Sequence, residues 1–257
     1  MGKSPRRQYV YIGYRERFQG LSFEGDQILV HLPSGQKVQA DAVFSQKQYT
    51  RESGKDKVVY SVDGKVIPDV ASVFAGYDLI WAIDTNTKLI KGDMVSVSSI
   101  LECYPKLNNA IRQIEVKYRI NGIILFKNCP NDESERYAWA RLIAMITSTP
   151  AYRGNLKVAL VTDHNLNRHH QYNTRQLPIY EDLYLPANFH LVYASSDTSG
   201  DSILNVFVAM CDKNASDIIR QLEESGAATV GNLTVTLDKI QSPLPTSADP
   251  LLLRLKN

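Results

Sequence analysis

Short alternating runs open the chain. Residues 9–14, YVYIGY, alternate weakly, and residues 27–44, QILVHLPSGQKVQADAVF, set Pro33-Ser34-Gly35 between two alternating stretches. That is a hairpin signal. Residues 57–70, KVVYSVDGKVIPDV, repeat the pattern around Asp63-Gly64, a strong two-residue turn. The pattern predicts a small all-β module over residues 1–75, a barrel or a sheet of its own.

From Tyr77 the pattern changes. DLIWAID (78–84) and DMVSVSSILE (93–102) read as strands joined by a loop that holds Thr85-Asn86-Thr87 and Lys91-Gly92-Asp93. IEVKYRINGIILFKN (114–128) continues as one long strand or two around Asn121-Gly122. Residues 131–149 have apolar positions at helical spacing, acids in the first turn, Asn131 or Asp132 as cap and Pro150 beyond the end. LKVALVTD (156–163) is a continuous apolar run, the mark of a buried parallel strand. After a polar, His-rich segment come a strand (189–197) and a long helix (202–226) with Gly226 as C-cap. LTVTLDKI (233–240) is a further short strand. The expected fold is α+β or α/β: the β-rich module, a mixed-sheet domain over 76–240, and a Pro-rich tail over 241–257.

Composition narrows the function classes. Hydrophobic content of 44% and charged content of 22% are those of an ordinary globular protein, and a net charge of +2 provides no global field for nucleic acid. Cys103, Cys129 and Cys211 are odd in number and far apart, which argues against a disulfide framework and for a reducing, cytoplasmic setting. No CxxC suggests structural zinc, and no apolar run is long enough for a bilayer. Nucleophile elbows, P-loops and dinucleotide fingerprints are absent from the sequence.

The chemistry-bearing residues are carboxylates at strand and helix ends. Asp84 closes the first strand of the mixed-sheet region and Asp163 the strand after the first helix. If those strands are parallel neighbours, the two acids converge where α/β sheets bind ligands. Asp197 and Asp201, before the last helix, and Glu135, in the first turn of the first helix, are candidates to complete a group; Glu133 and Glu102 are rivals of Glu135. Clustered carboxylates repel unless a cation neutralises them, and hard oxygen donors suit Mg²⁺ or Mn²⁺. The plainer reading makes Asp84 a turn residue, because Asp-Thr-Asn is good turn chemistry, and Asp201 or Ser202 a helix cap.

This element order, with Asp84, Asp163 and Asp201 or Asp197 at these places, resembles the ribonuclease H-like superfamily over roughly residues 77–226. The resemblance implies an acid on the first strand, a second on the first helix, a third on the fourth strand and a fourth near the last helix. It further implies metal-dependent cleavage of DNA or RNA, with Asp84, Asp163 and Asp201 as catalytic acids and Asp197 and Glu135 as further ligands. IDTNT and VTDHNL also resemble motifs of PIN-type nucleases. That family follows its first strand with a helix, whereas KLIKGDMVSVSSILE reads as strand.

Residues 162–186 hold His164, Arg168, His169, His170 and Arg175. Their mixture of cations with aromatics is that of a single-strand binding surface, which makes them substrate-binding candidates. A polar surface loop is the plainer reading. Tyr9, Tyr11 and Tyr14 with Arg15 and Arg17 suit base stacking and phosphate contact, or barrel packing, so the N-terminal module is expected to position substrate or a protein partner. The competing expectation for the whole chain is a catalytically inactive nuclease-fold protein that serves as a binding scaffold.

Overall fold

The structure, a computed structural model, describes residues 76–108, 113–149, 152, 154–194, 196 and 203–243, with short strands between Gly20 and Val66 and at Leu251–Arg254. The early strands are β1 (Gly20–Glu24), β2 (Gln27–His31), β3 (Lys37–Ala40), β4 (Ser61–Val62) and β5 (Lys65–Val66). β2 pairs antiparallel with β3 across Pro33-Ser34-Gly35, and β4 with β5 across Asp63-Gly64, as the turn signals predict. Leu21 of β1 is in register with Val116. Most of residues 1–75, and with them the expected module as a unit and its tyrosines, lies outside the described residues. So do Asp197 and Asp201.

β6 (Leu79–Ile90), β7 (Asp93–Asn108) and β8 (Gln113–Lys127) form an antiparallel meander. Lys91 and Gly92 both have positive φ (50° and 93°), the geometry of a tight two-residue hairpin turn. One expectation is corrected here. The first strand does not end at Asp84: it runs to Ile90, with Asp84 opposite Ser99. Cross-strand pairing overrides the turn chemistry of Thr-Asn-Thr. The Thr85 hydroxyl bonds that of Ser98 and the Thr87 hydroxyl that of Ser96, each at 2.8 Å.

After β8, α1 (Ser134–Ser148) leads to β9 (Val158–Thr162). The short α2 (His169–Asn173) leads to β10 (Phe189–Tyr193), and α3 (Ile203–Ser225) follows. β9 lies parallel to β6 and β10 parallel to β9, so the central five strands run β10-β9-β6-β7-β8. Alternation along the strands buries both faces of this sheet. Trp81, Ile83, Ile124 and Phe126 pack with Trp139, Leu142 and Ile146 of α1. Val95, Val97, Ile123 and Leu125 face Ile218, Ile219 and Leu222 of α3. The result is a mixed α/β domain with a partly parallel sheet and a long helix on each face.

The helix ends show one agreement and one correction. Gly226 ends α3 with φ of 72°, its N–H donating to the Leu222 carbonyl at 2.9 Å. Neither Asn131 nor Asp132 caps α1. Both have positive φ and belong to a preceding 3-10 turn, and Glu133 is the cap position, its side chain making no capping bond to the helix backbone. A β11 (Ala227–Val230) and β12 (Leu233–Thr236) hairpin packs onto the α3 side. β13 (Leu251–Arg254), within the tail, pairs with β8. Among the described residues no helix is long and apolar enough to cross a membrane.

Candidate active site

Strand register puts the first two acids together. β6 and β9 pair from Leu79↔Val158 to Ala82↔Val161. Two residues beyond that last pair stand Asp84, on β6, and Asp163, just past the end of β9. Their carboxyl groups share a hydrogen bond. β9 ends at Thr162 while β6 runs on, so this point is the carboxyl edge of the parallel part of the sheet. The Ser196 hydroxyl donates to Asp163 Oδ2 at 2.6 Å and holds that side chain from the segment after β10.

Glu135 enters from the α1 face. It is the second residue of α1, where the helix dipole favours an anion. Its Oε1 accepts from the Trp139 indole N–H at 2.8 Å and from the Thr162 hydroxyl at 3.2 Å, and the Thr85 side chain bonds the same carboxylate. The other face supplies Asp212 of α3, which the sequence reading leaves unassigned. Its Oδ1 accepts from the Asn86 amide at 2.8 Å. The rivals of Glu135 are elsewhere: Glu133 pairs with Arg136, and Glu102 lies opposite Trp81 and Arg119. The three-residue register step from Ser99 to Glu102 is about 10 Å along the strand. There Glu102 accepts from the Tyr104 hydroxyl and pairs with Arg119 at 3.5 Å.

The electrostatics follow from this crowding. Asp84 is only 7% exposed. Burial first, then the charges of Glu135, Asp163 and Asp212, push its carboxyl up to about 9. Burial likewise pushes Glu135 up to about 7, although the bonds from Thr85 and Trp139 pull the other way. Burial and crowding thus disfavour the ionised form of Asp84.

All four side chains offer hard oxygen donors, the type that Mg²⁺ or Mn²⁺ prefers. Buried carboxylates that are otherwise reluctant to ionise gain from a cation among them. In donor type and charge the residues fit such an ion. In placement they do not yet enclose one: among the described residues, no group of three or more His, Cys, Asp or Glu side chains stands in metal-holding geometry.

The His-rich segment divides in two. His164, next to Asp163, is exposed, its ring edge-on to Trp139 with centroids 5.8 Å apart. Burial and nearby Arg136 lower its imidazole against the pull of Asp163. Arg168 and His170 are exposed on the same short helical stretch. His169 is buried instead, and burial pushes it down to about 4. Its Nε2–H donates to the His164 carbonyl at 2.8 Å, which fixes the tautomer. Arg175 spreads its guanidinium over the carbonyls of Asn173, Leu185 and Pro186. These last two side chains brace the loop that carries the exposed ones.

The residues that the sequence reading missed, Asn86, Ser196 and Asp212, carry one weak signal between them. Asp212 follows Met210-Cys211 in an otherwise apolar stretch of helix. No family model matches the chain, and no curated protein is significantly similar to it.

Proposed function

We propose that this protein is a metal-dependent nuclease that cleaves phosphodiester bonds of RNA or DNA. The observation that carries the reading is that Asp84, at the carboxyl edge of a partly parallel sheet, is hydrogen-bonded to Asp163 and lies within electrostatic reach of Glu135 and Asp212, so that four separate elements each bring an acid towards it. Those places fit the acid positions of the ribonuclease H-like superfamily. The meander after β6 also favours that reading over a PIN-type one, in which a helix comes next.

In this reading Asp84, Asp163, Glu135 and Asp212 hold Mg²⁺ or Mn²⁺, with Asp197 and Asp201 as further candidates from the segment before α3. The ion supplies an activated water and stabilises the leaving oxygen when bound. The protein contributes rigidity. Ser196 orients Asp163, while Trp139, Thr162 and Thr85 orient Glu135, so these carboxylates are held before substrate arrives. His164, Arg168 and His170 line the approach and contact the phosphate backbone. The free thiols of Cys103, Cys129 and Cys211 support a cytoplasmic setting.

A binding-scaffold reading is favoured by one observation, the absence of metal-holding geometry among the described acids. Two measurements decide between the readings: a calorimetric Mn²⁺ titration, and cleavage of single-stranded and duplex RNA and DNA by the parent, Asp84→Ala and Asp163→Ala. A nuclease binds Mn²⁺ and cleaves, and both variants lose at least 100-fold in rate while keeping their fold, within the range that loss of one catalytic group produces. Variants that cleave like the parent would sink the nuclease reading. No Mn²⁺ binding by the parent would favour the scaffold.

A further inference from the structure

We infer that Asn86 is the positioning residue of this site: its carboxamide ties Asp212 of α3 to the strand that carries Asp84. The inference rests on the nuclease reading and adds a residue to it. Asn86 lies two positions beyond Asp84 on the same strand, so both face α3. Its Nδ2 lies 2.8 Å from Asp212 Oδ1, 3.1 Å from the Asp212 carbonyl oxygen and 3.0 Å from Ser216 Oγ. A carbonyl oxygen can only accept, as can an ionised carboxylate, so the NH₂ end of the amide must face α3. Its two hydrogens are shared among three acceptors, the side chain and backbone of Asp212 and the Ser216 hydroxyl one turn further on.

This grip solves a problem that the acids create. Asp212 is half-buried beside other carboxylates, and repulsion would otherwise turn it outward. A bond to Oδ1 and another to its own carbonyl restrict its rotamer. The fixing group must donate and must be uncharged, because a carboxylate at position 86 would repel Asp212. Asparagine meets both needs at this length. Asn86 thus does for Asp212 what Ser196 does for Asp163.

The test compares Asn86→Ala and Ser216→Ala with the parent by Mn²⁺ calorimetry and by cleavage across a Mn²⁺ series. Loss of a group that orients a ligand typically costs 10–100-fold in metal affinity. The expected result is a Mn²⁺ Kd about 10–100-fold weaker in Asn86→Ala, with turnover at saturating Mn²⁺ returning close to that of the parent. Ser216→Ala, which leaves the Asn86–Asp212 bonds in place, should bind as the parent does. Should Asn86→Ala fail to fold, Asn86→Thr keeps a β-branched residue suited to the strand and lacks the carboxamide; the same weakening is expected of it. Parent-like affinity in the Asn86 variants would overturn the inference and leave the nuclease reading standing, and equal weakening in Ser216→Ala would reduce Asn86 to helix packing. A parent that binds no Mn²⁺ removes both.

Discussion

Asp84 is a liability to the fold for as long as no cation offsets it. Its raised folded pKa means that the folded state holds a proton that the unfolded chain gives up near the ordinary carboxylate value of 3.8. The folded state then binds more protons than the unfolded one, and stability falls as pH rises from about 4 towards 9. Glu135, raised from 4.5 to about 7, adds to the same slope in the lower part of that range. Asp84→Asn should therefore stabilise the metal-free protein by about 1–3 kcal/mol at neutral pH, because the amide is buried neutral without first having to take up a proton. The gain should shrink at pH 5. Denaturant melts of parent and Asp84→Asn in chelator from pH 5 to 9 check this, since buried His169 affects both alike; a variant whose gain does not grow with pH contradicts the burial and crowding at this carboxyl. The sequence made Asp84, Asp163 and Glu135 legible because each sits at the end of an apolar run or the start of a helix. Asp212 sits in mid-helix, where only the position of the sheet says which side points at the acids. Burial of His169 and the carbonyl bonds of half-buried Arg175 were equally hidden, since composition alone does not separate a loop's outer face from its bracing.

At the scale of elements, hydrophobic periodicity located every strand of the central sheet and both long helices. It failed at β6, where hydroxyls of Thr85 and Thr87 found partners on β7 that only pairing could reveal. The same pairing rules out the turn reading of Asp84, for no turn exists there. β10 poses the opposite problem. Among the described residues it stands last in the strand order, and a sheet edge left uncovered is a template for unwanted pairing. Asn173 of α2 covers part of that edge: its amide donates to the Leu191 carbonyl at 3.0 Å, and the Leu191 N–H donates to its Oδ1 at 2.7 Å. Both bonds are buried. Asn173→Ala leaves two backbone groups of Leu191 without these partners, so it should cost about 2–4 kcal/mol and increase aggregation on heating. Urea titration and light scattering measure the two effects. A loss below about 0.5 kcal/mol, the low end for one hydrogen bond, would show that the clamp is dispensable.

Over the whole molecule, the candidate site stands where the parallel and antiparallel halves of the sheet meet, with one long helix on each face. Four elements that are distant in sequence contribute one acid each, so ligation of an ion would tie together the parts whose packing defines the domain. A ligand that binds only the folded state stabilises it by RT ln(1 + [L]/Kd), about 2.7 kcal/mol at one hundred times Kd. Mn²⁺ should raise the melting temperature accordingly. The rise should be larger at pH 8 than at pH 6, because the ion must displace protons held by Asp84 and Glu135. Calorimetry in buffers of different ionisation enthalpy should record those protons leaving, and Asp84→Asn should release fewer. If Mn²⁺ leaves the melting temperature unchanged at both pH values, the carboxylates do not act as a metal site. The chain would then keep four acids in electrostatic reach of one another at a cost in stability without a cation to offset it, and the hydrogen bond between Asp84 and Asp163 would be their resting state.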